Sequence, residues 1–305
     1  MSGNNKIFCG TIGTGYCGST MLSYILGGSV DIFSTGELTK GFPRYRCAKS
    51  WHRGDWTTGG ECSFWTEDFS RDLAVSSKSL RNKKLKKHAY NVFGKRVVFN
   101  VDKDPKWYES SIANGDDLDA VIILFKRPQA FAFSYEAHKR NRTSLGRDAL
   151  ISSACESYVK TYRRAMRVVL ENKIPHIYVQ YEDLAARPYR EVKRICKFLN
   201  AEYSDSLINY WDNKQELHMS PSGNRGAHRQ FLGEDAFKET WNKHLDPNFN
   251  DKAYHAEHAE WFLENYHKIT LDEKWKRYFS KEDIKRIRKK HRDTLEIFNK
   301  MVEKK

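Results

Sequence analysis

A glycine-rich segment near the beginning of the chain contains the residue types that bind phosphate. Residues 13–20 have the sequence GTGYCGST; a short apolar run precedes them, and a segment with helical spacing of apolar residues follows. Glycines let a backbone turn tightly around an anion, and the amides of the turn then act together with the dipole of the next helix. The pattern predicts a phosphate-binding loop whose contacting residues are Gly15, Tyr16, Cys17, Gly18, Ser19 and Thr20.

Three kinds of nucleotide loop share part of this pattern. The glycines match the G-x-G-x-x-G fingerprint of dinucleotide-binding folds, with Glu37 as the ribose acid, although residues 31–37 make a poor second strand. The spacing also fits a Walker loop, but Ser19 stands where that loop needs a lysine, which argues against nucleoside triphosphate hydrolysis. A loop for a 5'-phosphosulfate needs no magnesium and uses serine and threonine hydroxyls beside the backbone. The strand–loop–helix context disfavours a glycine turn that binds nothing.

Cationic and hydroxyl side chains follow two later apolar runs. Lys103 lies two residues after the run at 96–101, and Lys126 and Arg127 directly follow the run at 120–125. Both runs have the length and composition of buried strands, and Ser134 lies in the helical segment after the second one. On composition alone, Lys103 would be a surface lysine at the end of a strand.

Apolar runs and amphipathic segments alternate along the chain. The predicted strands lie at 6–11, 96–101, 120–125 and 176–180, and the predicted helices at 19–26, 128–140, 150–172 and 188–199. This alternation predicts an α/β fold, a three-layer sandwich with a central parallel sheet and a P-loop-like strand–loop–helix at its N-terminus. We expect a single domain over residues 1–305. It would include an irregular insertion or substrate lid at 40–95 and a helical C-terminal extension at 235–305.

The composition limits which ligands and which cellular compartment are expected for this protein. The net charge of +14 favours anionic ligands, and the basic run 78–88 is either a solvated surface or a rim for an acidic ligand. The six cysteines include no CxxC pair, and no histidine cluster has zinc-ligand spacing, so no metal site is expected. Neither a signal peptide nor a membrane span is apparent, which predicts a cytoplasmic protein.

The order and spacing of several segments resemble the sulfotransferases that use 3'-phosphoadenosine 5'-phosphosulfate (PAPS), in the branch of the tyrosylprotein and bacterial enzymes. Besides the loop, the segments are Gly36-Glu37, Val101–Pro105, Leu124–Ser134, Tyr181–Leu184 and His218–Arg225. They span most of the chain, and their joint order makes the resemblance more specific than any single motif.

The resemblance implies two catalytic residues beside the loop. Lys103 is expected to contact the sulfate and the bridging oxygen, and so to stabilise the leaving phosphate. Glu37 is expected to take the proton from a hydroxyl acceptor, with helix capping as its alternative role. His52 and His88 are further candidate bases.

The resemblance also implies a site for the rest of the donor and reveals two departures. The expected residues are Ser134 with Lys126 or Arg127 at the 3'-phosphate, Arg225 and Gly226 on its far side, and Tyr181 near the adenine. Tyr16 stands where the family has a basic residue, and Lys126-Arg127 where the family has Arg-Asp. Because tyrosine carries no charge near neutral pH, either a cation reaches the loop from elsewhere or catalysis is weaker.

The expected activity is in-line transfer of a sulfuryl group from PAPS to a hydroxyl or amine. The acceptor is expected to be a small metabolite, with a saccharide or a peptide tyrosine as alternatives, and no nucleic acid partner is expected. Two other functions stay open on the sequence alone. One is an NAD(P)-dependent oxidoreductase, which rests on the glycine fingerprint. The other is a non-catalytic module that binds a polyanion. This alternative rests on the net charge of +14 and on the absence of a basic residue from the loop.

Overall fold

The computed structural model describes residues 6–38, 64, 66–76, 80–140, 143–212, 268–269, 271 and 273–305. Three residues that the sequence analysis singled out, His52, Arg225 and Gly226, lie outside these ranges.

A five-stranded sheet lies at the centre of the described structure, with the strand order β2-β3-β1-β4-β5. The strands are β1 (Ile7–Ile12), β2 (Ile32–Gly36), β3 (Val97–Asn100), β4 (Ala120–Phe125) and β5 (His176–Gln180). Every neighbouring pair is parallel, so the residues that follow the strands meet at one edge of the sheet. The predicted α/β class with a central parallel sheet is confirmed.

Helices connect the strands and follow them along the chain. They are α1 (Ser19–Gly27), α2 (Glu67–Val75), α3 (Arg81–Phe93), α4 (Pro105–Ala113), α5 (Pro128–Lys139), α6 (Arg147–Glu171), α7 (Tyr181–Ala186), α8 (Pro188–Phe198), α9 (Lys274–Tyr278), α10 (Lys281–Lys290) and α11 (Arg292–Glu303). A short 3-10 helix covers Asp205–Leu207.

Strand β4 illustrates why the sheet needs helices on both faces. Successive side chains of a strand point to opposite faces. Ile122 and Leu124 are buried in one cluster with residues of α1 and α8. Val121, Ile123 and Phe125 are buried in a second cluster, which α6 dominates. Burying each such side chain contributes about 1.5–3 kcal/mol, so this apolar strand strongly favours an interior position in the sheet.

The prediction that residues 31–37 make a poor strand is wrong, because Ile32–Gly36 within this segment form β2 at the edge of the sheet. Ile32 is buried, as expected for a strand, and the polar residues find partners. The hydroxyl groups of Ser34 and Ser23 lie 2.6 Å apart, and Thr35 Oγ1 donates to the carbonyl of Phe99 at 3.3 Å. These hydrogen bonds offset the cost of burying two hydroxyl groups.

The prediction of an irregular insertion over 40–95 is wrong where α2 and α3 lie. Thr66 caps α2, since its Oγ1 accepts a hydrogen bond from the amide of Phe69 at 3.2 Å. Helix α3 buries Leu85 and Ala89 in a cluster with Phe8 of β1. The narrow apolar stripe of α3 is surrounded by lysines, so the sequence shows little of the helical period.

The basic run 78–88 lies partly in α3, where some of its lysines form ion pairs. Lys84 Nζ lies 2.6 Å from the carboxylate of Asp72. Lys86 Nζ lies 2.8 Å from the carboxylates of both Asp117 and Asp119. These carboxylates neutralise the lysines locally, which favours a surface role over a rim for an acidic ligand.

Helices α9 to α11 pack against α5 and α6. Ile287, Ile297 and Met301 are buried in the same cluster as the residues of α6. Arg147 at the start of α6 forms an ion pair with Asp283 of α10 at 3.1 Å. A helical C-terminal region is therefore present over 274–303. Among the described residues, no helix is both long enough and apolar enough to cross a membrane.

Candidate active site

The glycine loop connects β1 to α1 and is attached to both neighbouring strands. The amide of Gly13 donates a hydrogen bond to the carbonyl of Lys103, which follows β3, at 3.2 Å. A Cβ atom at Gly13 would lie only 2.4 Å from the carbonyl oxygen of Leu124 in β4. Only glycine fits between these backbones, so the position of the loop is defined by the sheet itself.

Two residues of the loop have left-handed backbone conformations. Gly18 has a φ of 93°, and a Cβ atom there would lie 2.5 Å from Cδ2 of the Tyr181 ring. Tyr16 has a φ of 62°, which is uncommon for a residue with a side chain. A Cβ atom at Gly15 would meet nothing within 4 Å, so the backbone is approachable there. The loop thus presents an approachable backbone at Gly15, directly before its two left-handed residues.

The first turn of α1 lies directly behind this open backbone. Gly18 is the N-cap residue and brings no capping side chain, and the first turn contains no acidic residue. Ser19 and Thr20 are buried at the same place. The positive end of the helix dipole therefore faces the loop without a carboxylate of its own turn, as an anion site requires.

Two tyrosines of α6 hold the loop and the end of β4 by hydrogen bonds, and sequence reasoning missed both. The hydroxyl group of Tyr162 accepts the amide hydrogen of Thr14 at 3.3 Å and donates to the carbonyl of Leu124 at 2.9 Å. Tyr158 donates to the carbonyl of Lys126 at 2.9 Å. Burial raises the pKa of both phenols, so they stay protonated and keep donating. Their spacing of one helical turn was the available signal.

The two predicted catalytic residues are brought together. Glu37 follows β2 and is 4% exposed, and its Oε1 accepts a hydrogen bond from Nζ of Lys103. The backbone hydrogen bond from Gly13 to Lys103 places Lys103 beside the loop. Burial raises the pKa of the Cys17 thiol, and the positive charge of Lys103 opposes that effect. The ion pair keeps both charges compensated in a largely buried place.

A second cation lies on the other side of the loop. Lys126 is 3% exposed, and its Nζ donates to Oγ of Ser134 at 3.1 Å. The same Nζ lies 5.1 Å from the centre of the Tyr181 ring, the ring that covers Gly18. The structure therefore joins four predicted residues into one contiguous group: Gly18, Tyr181, Lys126 and Ser134.

Arg127 has a different environment from Lys126. Its side chain is exposed, while its amide donates to Oε1 of Glu182 at 2.9 Å at the start of α5. Glu182 also accepts a hydrogen bond from Nε2 of Gln180 at 3.2 Å, so it links the ends of β4 and β5. Of the two adjacent cations, Lys126 is the one that contacts Ser134.

The order of the strands distinguishes this fold from the dinucleotide-binding fold. In that fold the second strand lies directly beside the first, which brings the ribose acid next to the loop. Here β3 lies between β1 and β2, and Glu37 at the end of β2 contacts Lys103. Glu37 therefore does not have the position of a ribose acid.

A family model identifies the family of the chain. The model described as "Sulfotransferase family" matches residues 11–205, more than half of the chain. This chain belongs to the sulfotransferase family. The matched range contains the loop, both lysines, Glu37, Ser134 and Tyr181.

Several solved structures are similar to this sulfotransferase. The one described as "Sulfotransferase Domain from the Curacin Biosynthetic Pathway" is similar to it with 18% sequence identity and a TM-score of 0.50, and the match covers 85% of this chain and 98% of that chain. A sulfotransferase domain from the Synechococcus PCC 7002 olefin synthase has 18% identity, a TM-score of 0.46, and coverage of 86% of this chain and 97% of its own. For the sulfotransferase STF9 from Mycobacterium avium, identity is 12%, the TM-score is 0.41, and 80% and 77% of the two chains are covered. No curated protein sequence matches the chain.

One more side chain at the loop of this sulfotransferase was missed by sequence reasoning. The ring of His138 in α5 contacts the ring of Tyr16, with the two centres 5.1 Å apart and the planes inclined by 55°. His138 lies one helical turn after Ser134, a spacing that could have drawn attention to it. The described site therefore consists of the loop, the Glu37–Lys103 pair, the Lys126–Ser134–Tyr181 group and His138.

Proposed function

We propose that this sulfotransferase takes its sulfuryl group from PAPS and transfers it in line to a hydroxyl or amine of a small acceptor, such as a metabolite or a saccharide. One observation carries the proposal. Lys103 follows β3 and Lys126 follows β4, and these two strands flank β1 and its loop. A nucleotide with an anion at its 5' end and another at its 3' end suits two cations on opposite sides of a phosphate loop.

The residues present fit the donor at its 5' end. The approachable backbone at Gly15, the uncapped first turn of α1 and the hydroxyl groups of Ser19 and Thr20 would hold the phosphosulfate. PAPS, when bound, supplies the sulfuryl group and leaves as 3'-phosphoadenosine 5'-phosphate. Lys103 would stabilise the negative charge that develops on the leaving phosphate.

The residues present also fit the 3' end of the donor. Lys126 and Ser134 would bind the 3'-phosphate, and the Tyr181 ring would pack near the adenine, where it already contacts both Gly18 and Lys126. Of the two cations left open by the sequence, Lys126 is favoured because its ammonium group lies beside Ser134. Arg225 and Gly226 stay candidates for the far side of that phosphate.

Glu37 is proposed as the base for a hydroxyl acceptor. Its carboxylate ends a strand at the same sheet edge as the loop, and the bond from Lys103 orients it. A base must lie within hydrogen-bond reach of the proton that it removes, and the pairing with Lys103 keeps Glu37 close to the reacting end of the loop. The proton of the acceptor would then reside on Glu37.

Ligand binding tests this proposal directly. We expect 3'-phosphoadenosine 5'-phosphate to raise the melting temperature, because a ligand at about 100 times its Kd stabilises the folded state by about 2.7 kcal/mol. AMP, which lacks the 3'-phosphate, should raise it less. A melting temperature raised by NAD(P) alone would favour the oxidoreductase, and one raised by heparin alone would favour a polyanion module; either result would refute the proposal. Screening acceptors with labelled PAPS then identifies the second substrate.

A further inference from the structure

The loop of this protein lacks a cation of its own. Residues 13–20 contain no lysine or arginine. Of the two lysines on its flanks, Lys103 is paired with Glu37, and Lys126 lies beside Ser134 and Tyr181. An anion in the loop therefore needs a further donor on the open side, where Gly15 and Tyr16 are exposed.

His138 reaches that open side from α5. Its ring contacts the ring of Tyr16, and both side chains are exposed, Tyr16 to 40%. Ser134 is one turn earlier on the same helix, so the two side chains lie on one face of α5. That face spans from the Lys126–Ser134 contact to the rim of the loop.

The conformation of Tyr16 makes this contact unusual. A left-handed conformation costs a residue with a side chain roughly 1–2 kcal/mol, and a glycine would avoid that cost. Tyr16 adopts it with φ at 62°, and the ring that it brings to the loop meets an imidazole. The contact holds His138 at the rim, where an imidazole N–H can donate to an anion in either protonation state.

We propose that His138, held by Tyr16, is a further donor-binding residue that hydrogen-bonds the anionic group at the 5' end of the nucleotide. This inference rests on the proposed function and adds to it the donor that the loop lacks. Tyr16 is then a positioning residue, since it acts through His138. The alternative is that the two rings only pack together at the surface.

Calorimetric binding of two nucleotides separates the 5' end from the 3' end. With 3'-phosphoadenosine 5'-phosphate and AMP as probes, His138→Ala should raise both Kd values by the same factor, about 10- to 100-fold, the range of a lost charge-assisted hydrogen bond. Lys139→Ala, which removes an exposed charge from the next position of α5, is the matched control and should leave both values unchanged. Unchanged binding in His138→Ala overturns the inference, as does weaker binding of the bisphosphate alone, because that result places His138 at the 3' end.

A rescue experiment separates a ligand contact from packing. His138→Arg should recover most of the affinity, because a guanidinium group donates to phosphate. Tyr16→Arg combined with His138→Ala should also recover it, because the loop then carries its own cation although both rings are gone. If neither variant recovers binding, the rings matter only for packing and the inference fails. A wild-type protein that binds neither nucleotide refutes the proposed function, whereas normal wild-type binding with an unaffected His138→Ala refutes this inference alone.

Discussion

Lys103 donates a hydrogen bond from its ammonium group to the carboxylate of Glu37, although the two residues are 66 positions apart in the chain. They follow β3 and β2, which are neighbours in the sheet, and both side chains are largely buried. The proposed base and the proposed leaving-group cation are thus assembled before any ligand binds. Because each neutralises the other, a change at either one affects both charge and stability.

Removing the cation should abolish transfer. Lys103→Ala is expected to lower kcat by about 100-fold or more, the range seen when one donor to a developing oxyanion is removed. It also leaves the Glu37 carboxylate buried without this partner, at a cost of about 1–3 kcal/mol in unfolding free energy. Transfer of labelled sulfate and urea unfolding measure the two effects.

The double variant Lys103→Ala with Glu37→Gln is the control for that experiment. It removes the buried charge as well, so it should recover stability without recovering activity. Full activity in Lys103→Ala would show that Lys103 has no part in the reaction.

Glu37→Gln on its own should slow transfer to a hydroxyl acceptor by roughly 100- to 10,000-fold, the usual contribution of a general base. The amide keeps the size of the carboxylate and can still accept a hydrogen bond from Lys103, so the Kd of 3'-phosphoadenosine 5'-phosphate should change little. Steady-state kinetics and calorimetry together check this. Unchanged turnover would assign Glu37 a structural role.

Lys126→Ala should remove the preference for a 3'-phosphate. We expect the affinity for 3'-phosphoadenosine 5'-phosphate to fall about 10- to 100-fold, while AMP binds nearly as before, because only the first ligand has a group for Lys126 to hold. Arg127→Ala is the matched control, because it removes the positive charge of the adjacent residue, whose side chain is exposed. Loss of the preference in Arg127→Ala instead would reverse the assignment.

Gly18→Ala should disrupt the loop more than the cost of a left-handed alanine alone would explain. A left-handed alanine costs about 1–2 kcal/mol, and here the added Cβ would also meet the Tyr181 ring at 2.5 Å. Gly94 is the control, since its φ of 68° is also left-handed but a Cβ there meets nothing within 4 Å. Both variants should lose a similar amount of stability from the backbone alone, and Gly18→Ala should lose nucleotide binding in addition. Equal nucleotide affinity in the two variants would argue against a tight contact between the loop and Tyr181.

Features that depend on contiguous residues could be read from the sequence. The run 120–125 was predicted as a strand with the bounds that the structure has, because every side chain in it is apolar and a central parallel strand is buried on both faces. The loop at 13–20 was recognisable for a similar reason, since its glycines and hydroxyls adjoin one another. The resemblance of the separated motifs then led to the family that the comparison establishes.

Features that depend on partners far along the chain could not be read in this way. Strand β2 was missed because its hydroxyl groups are polar in the sequence, and Ser23 and Phe99, which satisfy them, are supplied by other elements. Helix α3 was missed because its apolar stripe is narrow. Its burial becomes apparent only when Leu85 and Ala89 pack against Phe8 of β1.

The sequence by itself determined the class of fold, the glycine-rich loop and the set of charged residues around it. Only the tertiary structure decided that Lys103 pairs with Glu37, that Lys126 and not Arg127 lies beside Ser134, and that His138 contacts Tyr16. The physical reason for the first is that strands, helices and tight loops follow from the types of residues that adjoin one another in the chain. Which side chains meet at the edge of a parallel sheet depends on the order of its strands and on the direction in which each side chain leaves the backbone.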